Sequence, residues 1–102
     1  EPCRFIGKSV NLGGYARAVD WIVTTAAACA WAASAAPVWV VRKTKGEYKL
    51  VLDHVTYEVT VGAATSNGLR NLSTHRATAA RSEAQLWKFD GERYRVVRNS
   101  VR

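Results

Sequence analysis

The sequence has no methionine, two cysteines, and only 8 acidic residues against 15 basic ones in 102 positions. Each scarcity narrows the reading. A chain without methionine is expected to be a processed product whose export signal has been removed, which places it in the periplasm or outside the cell. The two cysteines, Cys3 and Cys29, leave two readings. In an oxidising compartment their pairing would staple the N-terminal arm to the body; otherwise they are unrelated thiols. The shortage of acid leaves a net charge of +7 and a pI of about 9.9. That balance favours an anionic partner such as nucleic acid, an acidic protein cleft or a charged polymer.

Catalytic signatures are missing as well. There is no G-x-S-x-G, no P-loop and no H-E-x-x-H. His54 and His75 have no cysteine or carboxylate at metal-ligating spacing, so each reads as a turn or surface residue. A Cys29 nucleophile would need a histidine brought from afar. The expectation is a non-catalytic protein with no cofactor and no metal site. No apolar run is long enough to span a bilayer: the richest, IVTTAAACAWAASAAP at 22–37, lies behind a mixed polar segment and lacks a charged leader. It reads as a strand followed by a small-residue loop. A buried helix over 26–35 is the alternative, since alanine is the best helix former.

What is present is β-pattern. With 48% apolar residues, a chain of this length can bury one real core as a single domain. Strands are expected at about 19–25, 37–44, 47–53, 55–61, 69–75, 83–89 and 92–98, punctuated by glycine, asparagine and aspartate. Val55, Tyr57, Val59 and Val61 alternate against Thr56, Glu58 and Thr60, and Asp53-His54 reads as the turn before them. Two segments, VWVVRKTKGEYKLVL and QLWKFDGERYRVV, share one plan of tryptophan, glycine turn and tyrosine, and they divide the body into two related β-units. The resulting fold class is all-β and antiparallel, with an irregular arm at 1–18, a first unit at 19–61 and a second at 62–102.

If Lys45-Gly46 and Asp90-Gly91 are two-residue turns, registers follow. In the first hairpin Val41 meets Leu50, Val40 meets Val51 and Trp39 meets Leu52, apolar on both faces as in a central, covered hairpin. In the second, Phe89 meets Glu92, Trp87 meets Tyr94 and Gln85 meets Val96. Its other face sets Lys88 against Arg93 and Leu86 against Arg95. Opposed like charges are unfavourable unless solvated or met by an anion.

The motifs D-W-I-V…C…P-V-W-V-V-R-K…G-E-Y and N-G-L-R-N-L…L-W-K-F-D-G-E-R-Y resemble a loose group of small exported bacterial proteins with repeated β-units, aromatic/F-D-G-x-x-Y hairpins and N-G-L-x-[DN] turns. Over residues 19–96 the chain also looks like periplasmic immunity proteins that inhibit lysozyme-like toxins. The resemblance implies propeller-blade-like units. Asn71 stands where that group has an aspartate, and the acid-rich loops of its calcium-binding relatives are missing, so it implies no metal site here.

Residues 70–102 hold eight of the basic residues against three acids. The expected partner-binding set is therefore Arg70, Asn71, His75, Arg76, Arg81, Lys88, Arg93 and Arg95, borne on the loops 65–71 and 74–83 and the second hairpin. The leading expectation is an inhibitor or immunity protein that docks basic loops into the acidic cleft of a partner enzyme such as a cell-wall hydrolase. The alternative is a module for nucleic acid or another anionic polymer, with Trp87, Phe89 and Tyr94 as stacking candidates. Monomer and homodimer both remain open, because a second copy could complete an unpaired edge strand.

Overall fold

The computed structural model describes residues 4–13, 19–26, 36–77 and 80–101. The Cys3–Cys29 pairing and most of the 26–35 helix alternative fall outside them. Among the described residues there are eight strands and no helix, hence none long and apolar enough to cross a membrane. Sheet 1 takes β1 (Phe5–Val10), β2 (Asp20–Thr25), β3 (Ala36–Thr44) and β4 (Glu47–Thr56); sheet 2 takes β5 (Glu58–Ser66), β6 (Leu69–Ala77), β7 (Ser82–Phe89) and β8 (Tyr94–Val101). Each sheet is a four-stranded antiparallel meander in sequence order. The all-β antiparallel fold is therefore the observed one, in two four-stranded sheets; the division falls at Tyr57, not between 61 and 62, because β5 runs through that boundary. Part of the N-terminal arm differs from expectation, since Phe5–Val10 pairs with β2 as an edge strand.

The chain changes sheets at one residue, Tyr57. Thr56 Oγ1 donates to the His75 carbonyl at 3.0 Å, and Tyr57 N donates to the same oxygen at 3.1 Å. This corner corrects two expectations. Asp53 and His54 lie within β4 rather than in a turn, and the side-chain alternation reverses at the corner, leaving Thr56 buried and Tyr57 63% exposed.

The first hairpin keeps its expected register from Thr44↔Glu47 to Val41↔Leu50, across a turn in which Lys45 and Gly46 both have positive φ. A bulge follows, so Val40 faces Leu52 and Trp39 faces Asp53. The extra residue lets Val51 and Leu52 both bury. The second hairpin is not a two-residue turn. Asp90 Oδ1 accepts from Glu92 N at 2.8 Å and Arg93 N at 2.9 Å, while Asp90 N donates to the Arg93 carbonyl. These bonds hold a four-residue loop that pairs Phe89 with Tyr94, Lys88 with Arg95 and, past a bulge, Leu86 with Arg98.

The core lies between the sheets. Val40, Val51 and Leu52 of sheet 1 meet Leu69, Leu72, Phe89 and Tyr94 of sheet 2, with Leu12 closing one side. Leu12 is held by Asp20, a buried carboxylate that accepts from Leu12 N at 3.1 Å and from Lys43 N at 2.9 Å. A polar chain crosses between the sheets: Trp87 Nε1 donates to Thr74 Oγ1, Thr74 Oγ1 donates to Gln85 Oε1, and His54 Nε2 stands 2.8 Å from that oxygen. A carbonyl oxygen can only accept, so His54 carries its proton on Nε2. His54 is thus an inter-sheet residue, its ring 4.9 Å from that of Trp87, and not a turn or surface group.

Candidate functional site

The outer face of sheet 2 follows from its register. Thr74, Gln85 and Leu72 point toward sheet 1, so the alternate rows point to solvent: Glu58↔His75↔Ala84, Thr60↔Ser73↔Leu86↔Arg98, and Lys88↔Arg95. Lys88 and Arg95 are direct cross-strand neighbours, both exposed, with exposed Arg98 farther along β8 and exposed Arg93 at the tip of the loop. One carboxylate answers them: Asp90 Oδ2 accepts from Arg95 Nε at 2.8 Å. Hydrogen bonds from Arg93 N, the Arg95 side chain and Glu92 N hold the Asp90 carboxyl far below the usual carboxylate range. Lys88 and Arg98 make no ion pair among the described residues. The hairpin is a rigid, net-positive surface.

The expected site residues are distributed over three places. Lys88, Arg93 and Arg95 come together at the hairpin. Arg70 is the second residue of β6, at the same end of the sheet and close to the Asn67-Gly68 turn, which Asn67 Nδ2 ties to the Phe89 carbonyl at 2.8 Å. Arg70 does not join the outer face. It lines an open cleft of about 550 Å³ between Lys8, Val10 and Ile22 of sheet 1 and Val59 and Val61 of sheet 2. Arg70 has no ion pair among the described residues, and the cleft combines apolar walls with the cations Arg70 and Lys8, the acid Glu58 and the hydroxyls of Thr24 and Thr60.

His75, Arg76 and Arg81 lie toward the opposite end of sheet 2. His75 Nδ1 is 3.6 Å from Glu58 Oε1, Arg81 pairs with Glu83 at 3.0 Å, and Arg76 stands half-buried opposite Glu83. Asn71 is only 8% exposed and its Oδ1 accepts from Ser66 Oγ at 2.8 Å, so its side chain serves the β5–β6 hairpin.

Sequence reasoning did not single out Arg98 or Arg42. Arg98 escapes a two-residue turn model because only the longer loop and the bulge at Val97 of β8 bring it opposite Leu86. Arg42 is half-buried between the sheets, its guanidinium 5.2 Å from the centre of the Phe89 ring. No signal short of the packing marks it.

The aromatic groups near the hairpin face inward. Phe89 and Tyr94 are buried with ring centres 5.6 Å apart, and Tyr94 Oη donates to the Arg70 carbonyl at 2.7 Å. Burial, with the negative charge of Asp20 adding to it, pushes the Tyr94 phenol well above its ordinary value. No group of three or more His, Cys, Asp or Glu side chains that could hold a metal ion occurs among the described residues. Comparison with protein-family models, with curated proteins and with solved structures gives no match to this chain.

Proposed function

We propose that this is an exported, non-catalytic binding protein whose second hairpin engages an acidic protein surface, as an inhibitor or immunity protein toward an enzyme such as a cell-wall hydrolase. One observation carries the reading. Lys88 and Arg95 are opposed across β7 and β8 on an exposed face, with Arg93 and Arg98 nearby, and these four cations outnumber the two acids of the loop, Asp90, which pairs with Arg95, and Glu92. Folding alone disfavours like charges in that position, whereas an anionic partner converts the cost into binding energy and speeds encounter. Glycan-cleaving enzymes present paired carboxylates in a cleft, a suitable counterpart for a protruding cationic loop. The resemblance to immunity proteins that block lysozyme-like toxins points the same way.

Nucleic acid is the second reading, and the orientation of the aromatic rings weighs against it. Single-strand binders stack bases on exposed rings beside their cations. Here Phe89 and Tyr94 are buried behind the cationic face, and Trp87 is bound to Thr74 between the sheets.

The test is a pull-down with the whole chain from bacterial extracts containing cell-wall hydrolases, with nuclease added and washes at about 50 and about 500 mM salt. The proposal expects a hydrolase to be retained in low salt, with its activity reduced when bound. Retention of nucleic acid alone, abolished by nuclease, would overturn it in favour of the second reading.

A further inference from the structure

Sheet 1 has an outer face on which none of the other described residues packs, and its chemistry is the reverse of the outer face of sheet 2. The inward row is Lys8↔Ile22↔Val40↔Leu52; the outward rows are Gly7↔Val23↔Trp39↔Asp53 and Ser9↔Trp21↔Val41↔Leu50. Phe5 is 68% exposed on this face and its ring meets Trp39 edge-on at 5.6 Å. Tyr48 and Leu50, 54% and 55% exposed, extend the apolar surface along β4. Gly7 lets the Trp21 ring lie close against β1: a Cβ at that position would stand 3.2 Å from Trp21 Cε3. A contiguous exposed surface of this kind marks an interaction site.

We propose that this face is the interface of a twofold-symmetric homodimer. Three observations select a second copy. Each sheet carries a tryptophan on its third strand, Trp39 on the outward row of sheet 1 and Trp87 on the inward row of sheet 2. Trp87 is covered by the neighbouring sheet, in contact with His54, whereas the Trp39 face has no such cover among the described residues.

Second, the partner surface must itself be apolar, which excludes head-to-tail stacking. The outer face of sheet 2 would set Lys88, Arg95 and Arg98 against tryptophan and leucine. The apolar face that a second copy offers is the same face of sheet 1, and self-pairing of one face closes as a dimer instead of growing.

Third, the charges on the face are self-complementary. Its strand positions carry one cation, Lys43, and one anion, Asp53, neither in an ion pair among the described residues. Lys43 is level with Tyr48 and Asp53 with Trp39, four residues apart along β3, or about 13 Å. A twofold axis lying in the interface and crossing the strands at the Val41/Leu50 level brings Lys43 of each copy over Asp53 of the other. The axis leaves the cationic hairpins on the two outer surfaces of the dimer. The interface therefore goes beyond the binding role of sheet 2 and does not depend on it.

Sedimentation equilibrium of the whole chain across roughly 1–100 µM tests the interface. A monomer–dimer equilibrium is expected, and Leu50→Glu, on an exposed position, should weaken it at least about tenfold while circular dichroism stays unchanged. Lys43→Asp and Asp53→Lys should each weaken association, and the two together should restore it. A wild-type monomer throughout, open-ended growth with concentration, undiminished association of Leu50→Glu, or a double variant no better than the singles would overturn the proposal.

Discussion

The two sheets share a topology and differ in what they turn outward. Each is a four-stranded meander whose third and fourth strands form a hairpin, entered past a tryptophan. In sheet 1 the turn is the tight Lys45-Gly46 pair and the outer face is apolar; in sheet 2 the turn is a loop organised by Asp90 and the outer face is cationic. Trp39 lies on the outward row of its sheet and Trp87 on the inward row of its own. One topology thus yields two outer surfaces of opposite chemical character, one apolar and one cationic. Their separation leaves a core between the sheets that neither surface disturbs.

The largest test of this asymmetry is the pair of tryptophans. Trp87→Ala removes a ring packed on His54 and a hydrogen bond to Thr74, and should cost about 3–5 kcal/mol as a core deletion. Trp39→Ala, measured in dilute solution, loses its edge contact with Phe5 and should cost about 1 kcal/mol, within the range of single aromatic pairs. Urea unfolding of the two variants would decide; equal losses would mean that the sheets are not packed asymmetrically.

Smaller effects come from the titrating groups of sheet 2. Tyr94→Phe removes the bond to the Arg70 carbonyl and should cost about 1 kcal/mol. The Tyr94 phenol is raised by burial, so the folded state holds its proton more tightly than the unfolded chain. Its contribution is complete below the unfolded value near pH 10 and is lost as pH rises beyond it. Thermal unfolding between pH 8 and about 11 should show a decline that Tyr94→Phe reduces.

Asp90 works at the other end of the scale and with the opposite sign. Its folded pKa is depressed, so its contribution is present above the unfolded value near pH 4 and fades as pH falls below it. Amide protection of Glu92 and Arg93, compared at one pH, should fall in Asp90→Ala, while that of the Lys45-Gly46 turn, which depends on no carboxylate, stays unaffected. Equal loosening of both hairpins would show that Asp90 is not what organises the second.

Much of this architecture was legible in the residues. Alternation and turn signals located seven of the eight strands, and the first hairpin matched its expected register as far as the bulge at Val40/Val41. β1 was hidden because FIGKSV mixes apolar and polar residues on both faces, as expected of an edge strand with little to bury. The second hairpin misled because Asp-Gly usually signals a two-residue turn, whereas here the Asp90 side chain captures two backbone N–H groups and lengthens the loop.

The cationic surface was partly legible. Lys88, Arg93 and Arg95 were identifiable from charge and strand alternation, but their mutual register depended on that loop. Arg70, Arg76 and Arg81 looked like one group in sequence because loops 65–71 and 74–83 are close along the chain. The nine-residue strand β6 separates them, leaving Arg70 in the cleft and the other two toward the far end. The apolar outer face of sheet 1 was legible in the first hairpin, apolar on both faces, but the expectation that such a hairpin is central and covered fails: β4 is an edge strand of its sheet and Tyr48 and Leu50 are exposed.

The central claim is that the two outer faces have separate tasks, the cationic one for an acidic partner and the apolar one for self-association. Its most direct test measures the affinity of the hydrolase recovered by the pull-down for two variants side by side, Lys88→Glu/Arg95→Glu/Arg98→Glu and Leu50→Glu. The account predicts that the triple variant stays folded and dimeric and loses the partner by at least about a hundredfold, roughly 2.7 kcal/mol, while each Leu50→Glu subunit binds it as tightly as wild type. Undiminished binding by the triple variant, or loss of binding in Leu50→Glu alone, would contradict it.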